Sequence, residues 1–330
     1  MPRLVATLGV VVYHSSILLA DKMGATQPYY FLKFLYSGVD YLFVLSGFLL
    51  FYLYHQNFGV TTTAVVFIKK RVLRIYPLYW LVTLAIIPAF FLFPHLGAGY
   101  ERDVSVIGKS LLLFPQQYPI LSIGWTLTYQ VYFYLIFTLL FFDRTRFIFY
   151  LIMILSLANL ALPLPEFFFN HFNLEFFLGM MAAYGYQHFK RASSSYLLID
   201  GSLLLITGAI VDINFNRWLI DEKRVLVYGI SAFFLLWGLS SQTEIKMGKL
   251  AKPFQLLSKA GYSIYLTHYP IMAFLFTVWL FFPSLMIVKW IVTLFSAIFL
   301  GVMVHLVVER RLNKLLRLPR LTIAKNKLTN

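Results

Sequence analysis

An all-α integral membrane protein of about ten transmembrane helices is the fold class the sequence predicts, on three observations. Of the 330 residues, 60% are apolar, 19% aromatic and only 12% charged, which are not the proportions of a soluble domain. Ten apolar stretches approach the roughly 20 residues needed to cross hydrocarbon. The 28 Lys and Arg residues gather in short connecting segments and the tail. The formal charge of +15 therefore reads as a topology signal and argues against a nucleic-acid partner.

The stretches lie at 4–20, 34–54, 76–96, 125–142, 147–162, 166–186, 196–212, 225–241, 261–282 and 284–308. The first follows Arg3, and no small-residue cleavage site appears before Lys22, so it is expected to remain a span. Pro163-Leu164-Pro165 closes the short fifth stretch, and the seventh carries Asp200 near its start. The interval 97–124 is the longest polar one, and its apolar patch Leu111 to Phe114 predicts an interfacial helix. With the cluster Lys69, Lys70, Arg71 and Arg74 on the inside, 20 basic residues face inward and 8 outward, which puts both termini in the cytoplasm. The chain is thus expected to divide into a transmembrane domain, 1–309, and a basic cytoplasmic tail, 310–330, lying on anionic lipid.

Several kinds of chemistry lack their residues. The chain has no cysteine, its seven histidines lack the paired spacing of a zinc site, and no phosphate-cradling glycine loop precedes a lysine. Neither a metal nor an ATP-driven reaction is expected.

Polar residues inside apolar stretches are the remaining candidates. Arg71 and Arg74 are three apart, so on a helix they share one face and can grip a polyanion; headgroup-solvated topogenic charges are the alternative. Arg3 and His14 project from one side of the first helix, about 16 Å apart along its axis. His14 is either a reactive imidazole or a link between helices. Asp40 lies at matching depth in the second helix, where its carboxylate would orient and activate His14 or else cap the helix start. Ser46 and Gly47 read as small packing residues. In the fourth helix Trp125 and Tyr129 are read as substrate contacts or as an interfacial belt, and Gln130 faces the interior. Glu175 and His268 are further substrate contacts or helix-to-helix links, and His305 reads as interfacial.

Taken together, Arg-x10-His, Gly-Val-Asp-x-x-Phe-Val-Leu-Ser-Gly-Phe, Arg-x-x-Arg-Ile-Tyr-Pro-Leu-Tyr-Trp, Trp-Thr-Leu-x-x-Gln-x-x-Phe-Tyr and Ser-x-Tyr-Leu-x-His-x-Pro resemble the bacterial acyltransferase family 3 of membrane O-acyltransferases. The five blocks run collinearly from Arg3 to about Arg311. The resemblance implies a ten-helix enzyme of the inner membrane. It would move an acyl group, commonly acetyl, from cytoplasmic acyl-CoA to a hydroxyl of a surface or exported carbohydrate. It further implies His14 as catalytic histidine, acting as general base or transient acyl carrier, with Arg3, Arg71 and Arg74 against the CoA phosphates. The partners so implied are acyl-CoA, a carbohydrate acceptor and the bilayer, with a homodimer as the self-association considered.

Two departures from the family pattern stand out. Relatives usually place a lead-in such as Leu-Asp-Gly-Leu before the first-helix arginine, where this chain reads Met1-Pro2-Arg3. Similar members usually carry glutamate where this chain has Gln130, and an amide exchanges no proton at neutral pH. The sequence also lacks the carboxyl-terminal SGNH esterase-like domain of some relatives, so the acceptor is expected to be met by the membrane domain or a partner. The competing readings are a glycan transporter or flippase lined by the same polar residues, and a catalytically silent relative.

Overall fold

In hydrocarbon a chain must satisfy its backbone hydrogen bonds internally, and a helix does so within one segment. The computed structural model describes residues 2–162, 164–189, 194–214, 223–242 and 251–316, and among them every regular element is helical. The helices are α1 (Pro2–Met23), α2 (Thr26–Leu32), α3 (Gly38–Tyr54), α4 (Thr61–Leu92), α5 (Val104–Leu111), α6 (Gly124–Thr138), α7 (Arg146–Ala158), α8 (Phe172–His188), α9 (Ser194–Asn214), α10 (Val225–Ser240), α11 (Ala251–Trp279) and α12 (Met286–Leu315).

Each predicted stretch coincides with one of α1, α3, α4 and α6 to α12 over most of its length. Five segments are long and apolar enough to cross a membrane unaided: Arg3–Met23, Pro28–Asn57, Thr61–Leu92, Ser194–Asn214 and Met286–Leu315. By contrast α6, α7 and α8 hold 15, 13 and 17 residues, and α6 is prolonged by a 3-10 turn at Leu139–Phe141.

The structure corrects the sequence reading in two places. The cluster from Lys69 to Arg74 does not precede its helix but sits inside α4, two turns past the start at Thr61, because the apolar run Ala64 to Ile68 extends the helix backward. The interfacial helix expected around Leu111 to Phe114 is instead α5, which starts earlier, where Asp103 accepts the Ser105 N–H at 2.7 Å. The patch itself turns back on α4: Tyr79, Trp80 and Tyr76 donate to the carbonyls of Ser110, Leu111 and Leu112. Of the predicted tail, residues 310–315 continue α12, and 317–330 lie outside the described residues.

Packing follows the small residues. α1 sits between α3 and α11, α11 lies on α12, α3 on α8, and α10 joins α8 to α9. At the α3–α8 crossing a Cβ on Gly47 would land on the Phe176 carbonyl oxygen, and one on Gly179 on the Val44 carbonyl oxygen. Only glycine allows so close an approach of backbones. Beside it Phe133 of α6 stacks on Phe176 at 3.7 Å, tying α6 to the same core. Gly47 is therefore the packing residue expected from sequence.

Candidate active site

A cavity of about 160 Å³ opens among α1, α3, α4, α6 and α11, and its wall carries Arg3, Arg71 and Arg74. Among the described residues no carboxylate lines it. Arg74 is held from behind by Glu309 at 3.0 Å, whose other oxygen accepts from Ser263 at 2.7 Å and meets His305 Nδ1 at 2.6 Å. A π-helical turn at His305–Glu309 in α12 supports that arrangement. Arg71 lies over the rings of Tyr54, Phe67 and Tyr134 at 5.8, 5.5 and 5.7 Å. It donates to Tyr54 Oη at 3.3 Å, and its buried Nε has no partner among the described residues. Aromatic faces hold a guanidinium in place without using its donors. Three guanidinium groups against one carboxylate leave the site an excess of two positive charges, with forked donors suited to phosphate oxygens.

Gln130 lies on the same wall. Its Oε1 accepts from Ser46 at 3.0 Å, while its buried Nε2 has no partner. A carboxylate there would remove the stranded donor, keep the Ser46 bond and restore a proton-exchanging group among the arginines.

His14 is not part of the cavity wall. It is half-buried between α1 and α11, where its Nδ1 meets His268 Nε2 at 2.9 Å and the Tyr269 ring approaches edge-on at 5.4 Å. The two helices run in register: Gly261 faces Thr7 on the cavity wall, and His268 faces His14 seven residues on in both. Seven residues are about 10 Å of helix. Tyr265, bonded to Thr126 Oγ1 at 2.8 Å, belongs to the cavity wall and lies one turn before His268 on α11.

The structure does not bring Asp40 to His14. Asp40 is fully buried and bound by Arg224 through both oxygens, at 2.8 and 2.6 Å. Arg224, which the sequence placed among outer-loop charges, lies over Tyr36 and Phe172 at 4.6 and 5.4 Å. Glu175 is also fully buried; it stands against Asp40 and Arg224 and lines none of the arginine cavity. Trp125 and Tyr129 pack on Phe172 at 5.5 and 5.1 Å, forming an aromatic wall beside this cluster. Sequence reasoning missed Arg224, Glu309 and Ser263. An unmatched buried acid such as Asp40 is the signal that asks for Arg224. Among the described residues no group of three or more His, Asp or Glu could hold a metal ion.

The arginine-lined cavity and, about two helical turns away, the His14–His268 pair lie within a bundle of apolar helices. The family described as "Acyltransferase domain" matches residues 3–308, and the chain belongs to that family. With five segments long and apolar enough to cross a bilayer, it is a multi-pass membrane protein of that family. It is also similar to the "Exopolysaccharide production protein ExoZ" of Rhizobium meliloti (strain 1021), 34% identical over 110 residues. That match covers 31% of this chain and 32% of the relative. No solved structure matches the chain.

Proposed function

We propose that the protein transfers an acyl group, most simply acetyl, from acyl-CoA entering at the cytoplasmic face to a hydroxyl of an exported or surface polysaccharide. The similarity to an exopolysaccharide production protein supports the acceptor class. The proposed topology is ten spans in the inner membrane with both termini cytoplasmic and the basic tail on the lipid surface. The observation that carries this reading is the cavity whose wall holds three arginines and no carboxylate. CoA is a polyanion, and its phosphates would be gripped by Arg3, Arg71 and Arg74. The thioester then extends past Thr7 and Tyr265 toward His14, whose imidazole takes the proton of the attacking hydroxyl. Trp125 and Tyr129 face the acceptor's side.

Arg71 tests the docking half of this mechanism, because the orphan Nε of its guanidinium is free for an anion. Hydrogen bonds to charged groups are worth about 1.5–3 kcal/mol, so Arg71→Ala should raise KM for acetyl-CoA by about tenfold to hundredfold. Arg71→Lys should recover little of it, since an ammonium lacks the fork and the aromatic stacking. Initial rates in membrane vesicles with labelled acetyl-CoA and the cell's own surface polysaccharide check this. An unaltered KM in both variants would remove the donor from this cavity.

A further inference from the structure

His268 Nδ1 points at two backbone carbonyls of its own helix, Tyr265 O at 2.6 Å and Ile264 O at 3.2 Å. A carbonyl oxygen only accepts, so Nδ1 of His268 carries a hydrogen. Pro270 helps by supplying no N–H to the carbonyl of Leu266, which loosens this turn of α11. The other nitrogen, Nε2, lies 2.9 Å from His14 Nδ1. His268 is fully buried, and among the described residues neither ring has a carboxylate partner. A charged imidazole there would be uncompensated, so the pair is two neutral rings. Nε2 of His268 then holds a lone pair, and the hydrogen between the rings belongs to His14 Nδ1. That leaves Nε2 of His14 unprotonated, the one atom of the pair able to accept a proton from a substrate.

We propose that His268 is a positioning residue that fixes His14 as its Nδ1–H tautomer and shares the proton His14 gains. The inference rests on the acyl-transfer reading above and adds the origin of the base. The acceptor hydroxyl O–H breaks as Nε2–H of His14 forms, and the oxygen bonds the thioester carbonyl carbon. The C–S bond then breaks, and the departing sulfur takes the proton back from Nε2, giving ester and free thiol. While His14 is charged, its Nδ1–H moves toward His268 Nε2 and spreads one positive charge over both rings. In a Ser-His-Asp triad a carboxylate orients the imidazole. Here a second imidazole does so without adding a negative charge on the path of a polyanionic donor.

The test is nitrogen-15 NMR of the full-length protein in lipid nanodiscs with labelled histidine, the His14 signals being assigned by their loss in His14→Ala. The expected spectrum shows His14 protonated at Nδ1 and bare at Nε2. His268→Phe should erase that pattern and lower the rate at saturating acetyl-CoA by about 10²-fold, with KM for acetyl-CoA unchanged. His268→Gln, whose carbonyl can accept from His14 and whose amide can donate to Tyr265, should keep the pattern and recover part of the rate, since an amide orients His14 but takes no share of its proton. An Nε2–H tautomer for His14 in the unmutated protein, or a full rate in His268→Phe, overturns the proposal. An Nδ1–H tautomer in a protein that moves no acyl group would instead overturn the acyl-transfer reading and leave the pairing standing.

Discussion

Replacing His14 by alanine is expected to abolish detectable acyl transfer, a fall of about 10²–10⁴-fold or more. On the proposed mechanism the imidazole of His14 is the group that removes the hydroxyl proton. His268 already spends Nδ1 on the Tyr265 carbonyl and faces α1 with the other nitrogen. Asp40 is locked by Arg224 on both oxygens. The truncation also strands His268 Nε2 in a buried site, at about 1–3 kcal/mol, so a His14→Gln protein, whose amide can donate to that nitrogen, separates lost chemistry from lost stability. Both variants should bind acetyl-CoA as the unmutated chain does, because the arginine cavity is not built from His14. Label transfer and donor binding, measured side by side in membranes, check this; full transfer by the alanine variant would move the base elsewhere.

The second large effect concerns folding. Arg224→Met should sharply lower the yield and thermal stability of folded protein, because it leaves Asp40 buried without a counter-charge, with Glu175 against it. Breaking one side of a buried pair costs about 3–5 kcal/mol, whereas replacing both sides with apolar groups is often neutral. The double variant Asp40→Leu with Arg224→Met should therefore regain much of the loss, as read by the melting of detergent-solubilised protein on a sizing column. If the double variant is worse than Arg224→Met alone, the Asp40–Arg224 pair is not what anchors α10 to α3.

The sequence carried the helices well because apolar run length is a one-dimensional signal. Ten stretches read from hydrophobicity coincide with ten helices, and the errors fall at ends where an apolar run continues through charge, as α4 does across Lys69 to Arg74. The arginine cavity was legible in part: Arg71 and Arg74 were read as a pair on one helix face and Arg3 as a separate candidate, and all three share one wall. Pairings between distant segments were not legible. Depth alone matched Asp40 to His14, but partner choice depends on azimuth and on which helix packs alongside. α11 covers that face of α1, so His14 meets His268, while Asp40 turns toward Arg224 at the head of α10. Glu309 was invisible for the same reason, its role being set by Arg74, 235 positions away.

Where α3 meets α8, glycine against main chain on both sides leaves no side-chain cushion that could rearrange. So close a contact couples the two helices, and Leu42, Leu45 and Ser46 on the cavity wall belong to the coupled pair. Widening of the cavity is then expected on the opposite side, where Pro77 and Pro88 in α4 and Pro270 in α11 each remove a backbone hydrogen bond from a helix that forms the wall.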